Sequence, residues 1–199
     1  MGLSDIKKEL KKLGKDDLID LLADLYKKNK SVKELLDFYI SPDEEELSAK
    51  YHDKVFEAFF PKRGFGYNLK IAKQAINDFK KLGPSSEALA DLMLFYVETG
   101  VKYTNDFGDI NENFYSSLEK TYLQALILIK KENLLDKFAN YSREIESEAE
   151  GIGWGFSDTM ADIYCDFYDD LYDDSIEEAD TIEENTEEKK VKIIKLGRR

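Results

Sequence analysis

The chain has 199 residues, 42% of them hydrophobic, and a formal net charge of −13. That length sets a single domain as the expectation, with twelve Phe and twelve Tyr as ample core material. The acidity argues against direct nucleic-acid binding, which needs a basic face, and no apolar run is long enough for a transmembrane helix. The start, Met1–Lys8, lacks the apolar stretch of a signal peptide, and the single cysteine, Cys165, has no intramolecular disulfide partner. The chain is therefore expected to be cytoplasmic and to stay off membranes.

Along the chain the apolar residues recur at helical spacing. Leu18, Leu21, Leu22, Leu25 and Tyr26 form an i, i+3, i+4, i+7 stripe, which predicts a helix with Leu22 and Leu25 in the core. Ser31-Val32-Lys33-Glu34 has the pattern of a capping box and opens a helix whose face is Leu35, Leu36 and Tyr39. Ser41-Pro42-Asp43-Glu44 is a second start signal, with Ser41 as cap and Pro42 in the first turn. That helix runs through Tyr51, Val55, Ala58 and Phe59 to Pro61.

Ile71, Ala75, Ile76 and Phe79 mark the next helix, which stops at Gly83-Pro84. Leu89, Leu92, Met93, Tyr96 and Val97 mark another. Phe114, Leu118, Tyr122, Ala125, Leu126 and Ile129 mark a long one, expected to be the most buried because Leu123, Ile127 and Leu128 make its other sides apolar too. A last stripe, Phe156, Met160, Ile163, Tyr164, Phe167, Tyr168 and Leu171, carries Cys165 as a small core or boundary residue.

The fold class is thus all-α, a domain of seven or eight helices over residues 1–174. Lys-Lys-Leu-Gly occurs at 11–14 and 80–83, each time followed by Leu-Ala-Asp-Leu, at 22–25 and 89–92. Stacked helical hairpins and chance recurrence both account for that. Residues 175–199 change character: an acidic linker precedes Val191-Lys192-Ile193-Ile194-Lys195-Leu196, and a mobile tail is expected.

Three features are candidate sites. Pro61-Lys62-Arg63-Gly64-Phe65-Gly66 sets two bases beside two permissive glycines, either an anion-binding loop or a connection with Phe65 plugged into the core. Gly151-Ile152-Gly153-Trp154-Gly155-Phe156 repeats the aromatic-between-glycines pattern. If the two loops meet, Phe65, Trp154 and Phe156 line a pocket with Lys62 or Arg63 at its mouth; otherwise Trp154 is a core anchor. Third, Asp158, Asp162 and Asp166 stack at i, i+4, i+8, either as oxygen ligands for a divalent cation or as a solvated acidic face. His52, the single histidine, has no catalytic partner in its own stretch of sequence.

The two glycine-aromatic motifs, together with Ala90-Asp91-Leu92-Met93-Leu94, Thr104-Asn105 and Gly108-Asp109-Ile110, resemble an uncharacterised bacterial family known only as a domain of unknown function, found mostly in Bacteroidetes-type bacteria. The resemblance covers about residues 4–172. It implies a bacterial, cytoplasmic protein and brings no activity, cofactor or catalytic residue with it.

Three functions compete. The leading one is a non-enzymatic binding or scaffold module for another protein, without a cofactor. The second is a metal-dependent hydrolase using Asp158, Asp162 and Asp166, with Lys62 or Arg63 holding an anionic substrate. The third is an acidic decoy that occupies a nucleic-acid-binding protein.

Overall fold

The structure, a computed structural model, describes residues 1–169, and the regular secondary structure among them is helical throughout. The nine described helices are α1 (Leu3–Leu10), α2 (Lys15–Lys28), α3 (Lys30–Ile40), α4 (Glu44–Phe59), α5 (Leu69–Lys81), α6 (Ser86–Phe107), α7 (Glu112–Lys131), α8 (Leu135–Glu148) and α9, residues 156–169. The seven stripes read from the sequence correspond to α2–α7 and α9, and the expected count of seven or eight is exceeded because α1 and α8 form as well. Asp170, Asp173, Asp174, Leu171, the expected domain boundary at 174 and the expected tail 175–199 lie outside the described residues.

Polar caps set the starts. Asn29, Asp43, Asn68, Ser85 and Asn111 each accept a backbone N–H of the first turn with the side-chain oxygen. A cap of this kind contributes on the order of 1 kcal/mol. Two starts differ from expectation. Asn29, not Ser31, caps α3, accepting from Ser31 N at 3.0 Å and Val32 N at 3.3 Å. Asp43, not Ser41, caps α4, accepting from Glu46 N at 2.9 Å. In both places two capping residue types lie close together, and the one whose carbonyl begins the hydrogen-bond ladder wins.

The core lies in α4–α9. Short connections make these helices run up and down in turn. Tyr51, Val55, Phe59, Phe79, Leu92, Tyr96, Val97, Phe114, Leu118, Leu126 and Ile129 are at most 1% exposed. The most heavily buried helix is α6, with eleven buried residues against nine in α7. On α7, Leu123 and Ile127 face solvent, so that helix is amphipathic rather than buried all round. Gly100 lets α6 and α7 approach closely: a Cβ there would lie 2.5 Å from Leu118 Cδ2.

The N-terminal helices are built differently. None of the residues in α1, α2 or α3 is buried. Leu22 and Leu25, expected in the core, are 48% and 42% exposed. Theirs is a correct helical stripe, but only its Leu18 and Tyr26 are half-buried, and Leu21, Leu22 and Leu25 stay exposed. Instead α2 packs on α3, where Tyr26 Oη donates to Asp37 at 2.9 Å and Lys33 Nζ lies 5.4 Å from the Tyr26 ring. The group α1–α3 is held to the core by Phe38, which packs on the core cluster, and by Glu34. The Glu34 carboxylate pairs with Lys50 and with Lys54 at 3.8 Å and accepts from Tyr51 Oη at 3.1 Å.

Candidate functional site

Because α4, α6 and α8 run the same way, the connections α4–α5, α6–α7 and α8–α9 emerge at one end of the bundle. The first and third of these connections are the glycine-aromatic stretches that stood out in the sequence. Hydrogen bonds tie them together. Asn111, after capping α7 through its Oδ1, donates from Nδ2 to Tyr67 Oη at 3.1 Å, joining the first loop to the second. Asp109 Oδ1 accepts from Gly153 N at 3.4 Å and from Tyr115 Oη at 3.2 Å, joining the second to the third. Asn105 Nδ2 donates to Glu148 O at 3.0 Å, stitching α6 to the end of α8. Below them lies an aromatic floor. The Tyr67 ring centroid is 5.3 Å from Tyr103 and 4.8 Å from Phe114, and Tyr115 is 4.9 Å from Phe156.

The tips of the loops are apolar and face water. Phe65 is 103% exposed, between Gly64 (φ +91°) and Gly66 (φ +95°), so it does not plug the core. Tyr67 fills that role. Trp154 is 62% exposed and takes φ +62°, so it is no core anchor. A bulky residue in the left-handed region carries strain of order 1 kcal/mol or more, which only surrounding structure sustains. Gly153 supplies part of that structure. A Cβ at this position would lie 2.7 Å from Asp109 Oδ2, so a larger residue would push the carboxylate away from the Gly153 N–H. Phe107, 59% exposed and 4.7 Å from Tyr103, presents a third ring from the end of α6.

The sequence-predicted residues are therefore divided. Phe65 and Trp154 are exposed on two different loops, each of which is bonded to the 108–111 loop rather than to the other. Phe156 is fully buried beneath its loop and supports the loop instead of facing a ligand. Lys62 is exposed but paired with Glu57, which holds its ammonium above the usual lysine range, and Arg63 is exposed. Asp158, Asp162 and Asp166 lie exposed on α9. Among the described residues, no group of three or more acidic, histidine or cysteine side chains is arranged to hold a metal ion. Cys165, expected at the core or its boundary, is exposed on the same helix, and burial and Asp169 push its thiol up.

A second feature escaped sequence reading. At the opposite end, the starts of α4, α6 and α8 flank a cleft of about 650 Å³ holding Ser48, His52, Asp91, Glu87, Lys137 and Tyr141. His52 Nε2 lies 3.0 Å from Asp91 Oδ2, its Nδ1 lies 2.8 Å from Ser48 O, and Ser48 Oγ is 3.3 Å from the same Nδ1. The trio has the composition of a nucleophilic triad but the wrong protons. A carbonyl only accepts, so Nδ1 carries a hydrogen, and a carboxylate at Nε2 favours a second one. Burial lowers the His52 pKa, but Asp91 and the Ser48 carbonyl outweigh it and raise the value above the ordinary one. With its hydrogen donated to the Ser48 carbonyl, Nδ1 has no lone pair to take the proton of Ser48, so this is a structural link between α4 and α6 rather than an activated serine. The one local signal was the i, i+4 spacing of Ser48 and His52. Asp91 is too distant in sequence to be paired by inspection.

No helix among the described residues is long and apolar enough to cross a membrane. No curated protein and no solved structure matches this chain. The family model that does match spans residues 1–168, all three loops and both parts of the helical array included, and the chain belongs to that family, a family of unknown function (DUF6155).

Proposed function

We propose that this chain is a non-enzymatic, cytoplasmic bacterial binding module whose partner, another protein, seats on the loop end of the bundle. The observation that carries the reading is the trio of exposed rings, Phe65, Phe107 and Trp154, on connections bonded to one another through Asp109 and Asn111. Exposed aromatics held on a rigid scaffold are what protein interfaces use as anchors, since little side-chain freedom is lost on binding. The left-handed Trp154 points the same way: strain kept at an exposed position is explained by a contact made there.

Trp154 is the sole tryptophan, so its fluorescence reports on this end alone. A photo-crosslinking residue placed at position 107, at the end of α6, captures the partner in cells for identification. With the purified partner, Trp154 emission is expected to shift to the blue on binding. Phe65→Ala and Phe107→Ala are each expected to raise Kd by about tenfold or more, as for interface anchors. A partner that binds without altering Trp154 emission, and equally well to both variants, overturns the proposal.

A further inference from the structure

The leucine face of α2 is an exposed apolar feature that the loop-end reading does not use. Leu21, Leu22 and Leu25 are 41%, 48% and 42% exposed, and α2 itself holds no buried residue. We infer that this face is a self-association surface, on which α2 pairs antiparallel with α2 of a second copy of this chain.

The charges of the helix identify the occupant. Its first turn is acidic, with Asp16 and Asp17, and its last turn is basic, with Lys27 and Lys28. Asp17 and Lys28 are eleven residues apart, which at 3.6 residues per turn returns to within about 20° of the same flank. That flank borders Leu21 and Leu25 and also carries Asp24, the partner of Lys28 within the helix. When two identical helices pack antiparallel, like flanks meet. Asp17 of each copy then lies beside Lys28 of the other, forming two equivalent ion pairs, as two-fold symmetry demands. The midpoint between positions 17 and 28 falls beside Leu22, so the same register centres the leucines in the seam. In a parallel pair opposite flanks meet, so Asp17 and Lys28 of the two copies would not face one another. Both side chains are available for this. Asp17 accepts only from the Gly14 N–H, at 3.2 Å, and Lys28 pairs only with Asp24 of its own helix, at 2.7 Å, across an exposed contact. A carboxylate and an ammonium each have further hydrogen-bonding capacity.

Sedimentation equilibrium on the full chain tests this, from about 1 µM to about 300 µM, because association is read through mass action. The expected result is a monomer–dimer equilibrium in that range. Leu22→Asp with Leu25→Asp is expected to keep helical circular dichroism unchanged and to weaken the dimer by about tenfold or more. Asp17→Lys alone and Lys28→Asp alone each place like charges opposite one another and weaken it too. Mixing those two variants restores both opposite-charge pairs, so the mixed dimer is expected to regain wild-type affinity. A wild type that stays monomeric throughout overturns the inference, whether residues 170–199 or a different protein cover the face. A dimer that survives the double leucine change overturns it as well, and failure of the mixed pair to recover overturns the antiparallel arrangement.

Discussion

The tetrapeptide Leu-Ala-Asp-Leu stands at residues 22–25 in α2 and again at 89–92 in α6, with opposite fates. In α6, Ala90 and Leu92 are completely buried, and Asp91 reaches across to His52. In α2, both leucines are nearly half exposed, and Asp24 pairs with Lys28 one turn on. The local helix is the same. The difference comes from company: α6 touches α4, α5, α7 and α8, whereas α2 packs chiefly on α3. Two modes of construction coexist in one chain, an aromatic-rich bundle and a polar-tethered group of helices with open apolar faces.

The matching leucines break the comparison most sharply. Leu92→Ala is expected to cost roughly 2–5 kcal/mol, as a buried large-to-small change, and Leu126→Ala the same. Leu25→Ala, measured in dilute protein, is expected to stay within about 0.5 kcal/mol. Urea midpoints for the three variants check this, and equal losses at positions 25 and 92 would show that α2 is packed after all.

Close packing of the bundle has a second test. Gly100→Ala puts a methyl group against Leu118, itself fully buried, and is expected to cost about 1–3 kcal/mol through overpacking. The melting temperature reads it, and a neutral result would mean that α6 and α7 can separate easily.

Apart from Phe38, the tether of the N-terminal helices is electrostatic and correspondingly weaker. Burial raises the Glu34 pKa, but Lys50, Lys54 and Tyr51 outweigh it and leave the carboxyl below its ordinary value. A depressed carboxyl contributes stability that is present above the unfolded pKa, near 4.5, and is lost as pH falls through the folded value. With both lysines partly exposed, Glu34→Gln is expected to cost no more than about 1 kcal/mol. Amide exchange is expected to quicken in α1–α3 and to stay unchanged in α6 and α7. The same pattern is expected in wild type on acidification below the ordinary carboxyl value of 4.5.

The smallest effect belongs to the polar pair inside the bundle. His52 titrates above its ordinary value of 6.5, so its contribution is complete at pH values below that figure and fades as pH rises through the folded value. Asp91 is 42% exposed, which screens the pair and limits the effect to about half a kcal/mol. Wild type is expected to lose that much on the alkaline side of 6.5, and His52→Gln to show no such step. A wild-type melting temperature that is flat across neutrality would mean that folding leaves the affinity of this histidine for its proton unchanged.

Fold class was legible from the stripes, since helical periodicity is a local property carried by every segment. Of the candidate site, the two glycine-aromatic motifs were legible because glycines at alternate positions have no place in a regular helix. The bridge between them was not. Asp109, Asn111 and Phe107 looked like ordinary loop residues, and their role follows from the up-and-down path that puts three connections at one end. The exposure of Trp154 ran against the usual burial of that residue type and depended on a left-handed backbone that spacing does not reveal.

By itself the sequence determined where helices form, which residue types can cap them, and which face of each is apolar. These are consequences of neighbours within a few positions. Only the tertiary structure decided which apolar faces are covered, which of two adjacent caps is used, and that His52 meets Asp91. Burial and long-range pairing depend on where other helices lie. A stripe of leucines states that a helix has a side to hide, and the packing of the whole chain determines whether anything hides it.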